Sequence, residues 1–374
     1  PLLGKSYGEI ASESRSMHKS QGFGVPSQRG PATEFFTLTA GEPVQQDIAE
    51  GIVNDWSRFE GGAVINKMID EIVTTFSFQQ PSASVKPLVE LYNAIEKVND
   101  GDWKIKKLEE VKALIEACAG LWMEASTSQE FIVTGDSLRV NFNIINRTNV
   151  PVQLNRVQLD SSSLLSLPDS VKSKMNWNSE FVKNDIGTQG YFVDSSFNKE
   201  LTSNQNLNFN RRIYVRKTAT EPYWIVKPMS AGSFTVDDQY KIGLAENTAS
   251  YTAIFNLTIY GTAFRFYKPV MYKHTDPVKG ELFEKLVVYP PALIKASNSL
   301  LLFKDTTSKQ ISFSFVPQAT IKTNGAVSIN TSNGWRANPD NWKFEFVKGN
   351  EYQMNTKVRP DQFKNNLSGF IQPN

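Results

Sequence analysis

The hydrophobic pattern of this chain changes period once, and that change limits the folds open to it. Up to about Ala125, apolar residues recur at intervals of three and four. After Ser126 they alternate with polar residues. The first pattern is that of helices with one buried stripe, the second that of strands with one buried face. Ser6-Tyr-Gly-Glu9 sets a hydroxyl and a carboxylate at the spacing that caps a helix start. That helix carries Ile10, Met17 and His18 on one face, and Gly22-Phe-Gly24 with Pro26 stops it. A Gly-, Pro- and Ser-rich loop runs on to Pro31, followed by Phe35, Phe36 and Leu38 in an extended segment. The spacing predicts further helices over Val44 to Phe59, Ala63 to Phe76, Val85 to Val98 and Ile105 to Trp122. The last two read as an antiparallel pair joined at Asn99-Asp-Gly101. Leu88, Leu91, Tyr92 and Ile95 would face Leu108, Val111, Leu114 and Ile115.

Strands are expected at Phe131–Val133, Leu138–Ile145, Val152–Leu159, Arg212–Val215, Ala253–Tyr260 and Phe264–Tyr272. They continue at Leu282–Val288, Ile311–Val316, Val327–Ile329 and Trp342–Phe346. Short alternating strands with polar turns suggest β-sandwiches. The expected class is therefore α+β: a helical segment over 1–125, a β-sandwich over 126–291 and a second over 292–374. The last segment is short for a sandwich of ~100 residues and reads as small or truncated.

Composition removes several function classes. Forty basic and thirty-eight acidic residues are interspersed, leaving +2. A nucleic-acid binder instead clusters its cations to displace phosphate counterions. No apolar run reaches the ~18 residues of a membrane-crossing helix. One cysteine among 374 residues forms no internal disulfide, and two histidines make a self-contained His-rich metal site improbable. The chain opens on Pro1 with neither a methionine nor a charged-then-apolar leader, and reads as a fragment, a processed product or a trimmed piece.

Few residues are placed to do chemistry. His18 stands at a helix end before a Gly-flanked loop, a suitable place for a polar group to meet a ligand. It is equally a place where the helix macrodipole favours a surface imidazolium. His274 and Asp276 lie within Tyr272-Lys-His-Thr-Asp276-Pro, a pairing more simply read as an inter-strand turn. Cys118, in Ala117-Cys-Ala-Gly-Leu-Trp122, reads as a small buried hydrophobe. Trp335 and Trp342 flank Arg336-Ala-Asn-Pro-Asp340, where a sugar-stacking platform competes with a core or rim role. No Gly-rich phosphate loop, nucleophile elbow or zincin helix is present.

Ser14-Arg-Ser-Met-His18-Lys-Ser-Gln21, followed by Gly22-Phe-Gly24, resembles the closing helix of the PIG-L or LmbE-like zinc-dependent N-acetylglucosaminyl deacetylases, with its His-x-Ser/Thr-Gln element. The long multidomain members of that family are similar again at Glu50-Gly-Ile52 and Asp55-Trp-Ser-Arg-Phe-Glu-Gly-Gly62. Further likeness lies in Glu130-Phe-Ile-Val-Thr-Gly-Asp-Ser-Leu138, Glu221-Pro-Tyr-Trp224 and Tyr272-Lys-His-Thr-Asp276-Pro-Val-Lys-Gly-Glu281. Pro290-Pro291, Gly334-Trp335 and Val347-Lys-Gly-Asn350 look like the immunoglobulin-like sandwich that follows in such proteins.

The resemblance implies a fold: the end of an α/β deacetylase core with linker helices, then two immunoglobulin-like β-sandwich regions. It also implies an amide hydrolase acting on an N-acetylated sugar, with zinc as cofactor of the complete enzyme. The family's N-terminal Ala-His-Pro-Asp-Asp-Glu motif, which supplies zinc ligands and the general base, is absent from these residues. The only catalytic position that carries over is His18, as oxyanion stabiliser or proton donor to the leaving amine. No metal ligand and no substrate-binding residue carries over, so this chain alone is expected to bind no zinc and to be inactive. Two other classes stay open: a non-catalytic carbohydrate-binding or structural sandwich module, and a component of a surface assembly that docks partners through strand edges. Multiple sandwiches with almost no cysteine, together with the resemblance, place the protein outside the cytoplasm, in the periplasm or at the cell surface.

Overall fold

In a computed structural model, residues 3–31, 33–99, 101–160, 193–215, 219–319, 323–362 and 371–373 are described. The chain divides into two compact units, Pro1–Asn54 and Asp55–Asn374.

The first unit is built around one helix, α1 (Tyr7–Ser16). Its start is the capping box expected from sequence: Glu9 N donates to Ser6 Oγ at 3.2 Å, and Ser6 N donates to Glu9 Oε2 at 2.9 Å. The helix stops at Ser16, and a single 3-10 turn, Lys19–Gln21, leads into Gly22 at φ 69°. The expected helix over Val44 to Phe59 does not form. Within this unit the Glu50 carboxylate accepts from Gln45 N and Gln46 N, closing a local turn in place of a helical one. Gly51 at φ 83° then breaks any helical run. None of the described residues before Asp55 is buried.

The second unit opens on a 3-10 turn at Trp56–Arg58, the remnant of that expected helix, and continues into α2 (Gly62–Thr75), α3 (Val85–Glu96) and α4 (Asp102–Cys118). Trp56 stacks on Trp103 with ring centroids 5.0 Å apart. Gly62 must be glycine there, because a Cβ would sit 1.7 Å from the Trp56 carbonyl oxygen. α3 buries Val85, Leu88, Val89, Leu91 and Ile95, and meets Val111 and Ile115 of α4. Leu114, expected in that interface, is instead 51% exposed. α4 also ends sooner than its periodicity suggests. Gly120 at φ 62° provides the left-handed stop, and Leu121 already begins a strand.

The strands that follow are β1 (Leu121–Thr127), β2 (Phe131–Val133), β3 (Ser137–Asn146), β4 (Val152–Asp160), β5 (Val193–Glu200) and β6 (Asn206–Tyr214). Farther along, past a 3-10 turn at Gln239–Lys241, come β7 (Thr252–Ile259), β8 (Thr262–Asp276), β9 (Gly280–Lys285) and β10 (Val287–Tyr289). The main sheet runs β5-β4-β7-β8-β1-β3-β6, with β9 also paired to β8. β8 is long enough to serve two neighbourhoods. Its first half pairs antiparallel with β7, and then Ala125↔Val270 begins a parallel pairing with β1. The sheet curls until its end strands meet: Phe197 of β5 lies 4.8 Å from Phe209 of β6, and Arg211 Nε donates to Ser195 Oγ. The result is a nearly closed, barrel-like sheet around Leu138, Phe142, Ile144, Leu154 and Phe255, all fully buried. The helices α2 to α4 share this one core.

A separate, smaller core lies between two further sheets. β11 (Ala292–Ala296), β12 (Lys309–Pro317), β14 (Trp335–Asn338) and β16 (Tyr352–Pro360) form one, in the order β11-β12-β16-β14. β13 (Thr323–Thr331), β15 (Asn341–Phe346) and β17 (Ile371–Pro373) form the other. Ile311, Phe313, Met354 and Val358 from the first sheet meet Val327 and Ile329 from the second. The fold is thus mixed α+β, with four α-helices before residue 119 and sheets thereafter among the described residues. None of those helices is long and apolar enough to cross a membrane.

Candidate functional site

His18 stands just beyond the end of α1, where the chain reverses. Its N–H donates to Arg15 O at 3.2 Å, and its carbonyl accepts from Gln21 N at 3.1 Å, so the backbone of the turn is fixed from both sides. The chain then runs back along the helix. Arg15 sits over the Phe23 ring at 5.7 Å, Val25 N donates to Ser16 Oγ, and Arg29 reaches Glu9. The His18 imidazole is exposed. Glu9 is held below the usual carboxylate range by the Ser6 backbone N–H and then by its hydroxyl.

Among the described residues of the unit around His18, none is buried. Tyr7, Met17, Phe35, Phe36, Ile48 and Ile52 are all more than half exposed, with Phe35 at 91%. Isolated exposed apolar side chains are ordinary; this segment carries these six.

The other sequence candidates separate cleanly. Asp276 accepts from Val278 N and Lys279 N at 2.8 and 2.7 Å, which makes it the residue that closes the β8–β9 turn. Those two amides, Lys279 first, hold its carboxyl below the usual range. His274 lies within the strand pair, opposite Leu282, stacked on Tyr272 at 4.7 Å and 3.8 Å from Glu284. Cys118 packs against the larger core, where burial pushes its thiol up and away from thiolate chemistry. Trp335 and Trp342 belong to different sheets, and both pack on the smaller core. Trp335 meets Phe303 edge-on at 5.2 Å.

One polar cluster escaped the sequence. Glu124, 8% exposed on β1, accepts from Ser126 Oγ at 2.8 Å and pairs with Lys273 Nζ at 3.1 Å. Lys273 also reaches Glu281 at 2.7 Å. Burial lowers the lysine pKa, but its bonds to Glu281 and Glu124 outweigh that and leave it raised. The cluster joins β1, β8 and β9, and nothing in the linear spacing of residues 124, 273 and 281 announces it.

Among the described residues no three His, Cys, Asp or Glu side chains converge as a metal site would require.

No family model and no curated protein sequence matches the chain. Among solved structures it is similar to red sea bream transglutaminase over 68% of its own length and 29% of that chain, at 10% identity and a TM-score of 0.29. It is similar to native Escherichia coli alpha-2-macroglobulin over 68% of its length and 15% of that chain, at 10% identity and a TM-score of 0.22. For a Salmonella alpha-2-macroglobulin the coverages are 68% and 16%, with 8% identity and a TM-score of 0.21. Likenesses of this size fix neither fold nor activity.

Proposed function

We propose that this chain is the C-terminal portion of a PIG-L/LmbE-like deacetylase that removes the acetyl group from N-acetylglucosamine-type substrates. It contributes the closing helix α1 with His18, linker helices, and accessory immunoglobulin-like β regions. The observation that carries the reading is the first unit: a well-capped helix whose apolar neighbours lie open beside an exposed histidine. Such a segment is what remains of an α/β core when the strands that cover it are supplied elsewhere. Its sequence matches the family's late helix at His18, Ser20 and Gln21.

The role of His18 follows from what an exposed, backbone-fixed imidazole can do. Amide cleavage leaves an amine that must take up a proton, and passes through an oxyanion that needs a donor. A positioned imidazolium supplies either, worth typically 10²–10⁴-fold as a proton donor. The nucleophile and the electrophilic centre lie outside what these residues provide.

The test is made in the intact protein that carries this chain. His18→Ala lowers kcat on an N-acetylglucosamine substrate by about 10²–10⁴ and leaves zinc content unchanged. His274→Ala, held between Tyr272 and Glu284 within a strand pair, changes activity little. Equal and small effects of the two substitutions would remove the deacetylase assignment and promote the non-catalytic module.

A further inference from the structure

The outer face of β4, β5, β7 and β8 carries a groove of about 440 Å³, within the ~300–1,000 Å³ range of small-ligand sites. Asn155, Arg156, Gln158, Asn198, Asn256 and Arg265 line it, with Ser196 at the side, and no aliphatic or aromatic residue is among them. A register break between Leu154 and Arg156 creates it. Such a bulge turns consecutive side chains the same way, and here Asn155 and Arg156 both leave the core face. At the rim, Asn198 holds φ 45°, a left-handed conformation unusual for a residue with a side chain.

The carboxamides are already positioned. Asn155 Nδ2 donates to Thr258 Oγ1 at 2.7 Å, and Asn256 Nδ2 donates to Gln158 Oε1 at 3.1 Å. Gln158 is itself only 6% exposed. Among the described residues no further partner takes the other end of each amide: the carbonyl oxygens of Asn155 and Asn256, and the N–H groups of Gln158. The two cations differ. Arg156 is paired with Asp194 at 3.2 Å, whereas no carboxylate among the described residues pairs with Arg265.

We propose that this groove binds an acidic saccharide, with a uronate carboxylate on Arg265 and the neighbouring hydroxyls on Asn155, Gln158 and Asn256. A sugar hydroxyl both donates and accepts, and fixed carboxamides offer both functions side by side. The absence of apolar lining disfavours lipid or peptide side chains. A single planar guanidinium with no carboxylate partner among the described residues matches one carboxylate in two-pronged geometry, while a sulfate or phosphate draws on several cations. The site lies on β4, β5, β7 and β8 alone and does not depend on the role given to His18.

The experiment titrates the full chain with trigalacturonate, with neutral galactotriose and with inorganic sulfate, by calorimetry and amide chemical-shift mapping. Trigalacturonate is expected to bind with a Kd of roughly 0.1–1 mM, shifting the amides of 154–158 and 256–265. Arg265→Gln, at an exposed position that leaves the fold intact, weakens it by about tenfold or more. Asn256→Ala weakens it also, and galactotriose binds at least about tenfold less well. No saturation by trigalacturonate up to about 10 mM overturns the proposal. So does equal affinity for galactotriose, tighter binding of sulfate, or an unchanged affinity in Arg265→Gln.

Discussion

Lys273 shows how far a single side chain ties the fold together. Its ammonium holds Glu124 on β1 and Glu281 on β9. Lys273→Met would leave Glu124 buried with only the Ser126 hydroxyl, and an uncompensated, mostly buried charge of this kind costs about 1–3 kcal/mol. Urea unfolding at about pH 8 measures it, and Glu124→Gln in the same chain recovers part of the loss. The pH dependence follows from the raised pKa. Stability from this group is complete below lysine's ordinary pKa and is lost as pH rises through the higher folded value. The gap between wild type and Lys273→Met therefore narrows at strongly alkaline pH; a constant gap would show the ion pairs contribute nothing. Gly62 makes a second residue-scale case. Alanine favours a helix by about 1 kcal/mol over glycine, yet the clash with Trp56 O reverses the sign. Gly62→Ala is expected to destabilise by about 1–3 kcal/mol and to perturb Trp56 and Trp103 fluorescence.

Among the elements, α1 is the most weakly supported, since ten residues without tertiary burial are marginal as a helix. Its capping box carries the start, and the depressed Glu9 pKa gives the sign of its pH dependence. Cap strength is present above the ordinary glutamate pKa and fades as pH falls through the depressed one. Ser6→Ala is expected to erase the helical Cα shifts of 7–16 at neutral pH, and acid is expected to do the same to wild type. The same elements show what the sequence could and could not declare. Helices α2 and α3 were legible because Ile65, Leu88, Leu91 and Ile95 keep one buried stripe. The segment Val44–Phe59 has that period too, but Ile48 and Ile52 stay exposed, and Gly51 decides locally. The expected helix runs on to Trp122, and the helical pattern to about Ala125, because β1 is buried on both faces after Trp122 and its alternation is hidden. β5 buries only Val193, and β16 turns inward Met354, Thr356 and Val358, too thin an apolar signal to stand out. His18 was visible as a motif, whereas the groove beside Arg265 depends on a bulge and on strands far apart in sequence.

At the level of the molecule, apolar burial among the described residues is confined to those after Asn54, in two cores with no shared members. Removing 1–54 is therefore expected to shift the melting temperature by no more than about 2 °C. It should also reduce self-association, because Phe35, Phe36, Ile48 and Ile52 leave with it. A loss of cooperative melting on truncation would contradict the division into units.

The parallel pairing of β1 with β8 has a consequence for how the chain is made. Ala125 has no strand partner on that side until Val270 has emerged from the ribosome, and Phe131 waits likewise for Val287. During that interval β1 and β3 expose an unsealed strand edge and an apolar surface, the condition that invites chaperone capture and nascent-chain aggregation. Translation arrested before β8 should yield protease-sensitive, chaperone-bound nascent chains. Arrest that leaves β10 outside the exit tunnel should yield resistance in one step, because closure of this sheet cannot proceed strand by strand in the order of synthesis.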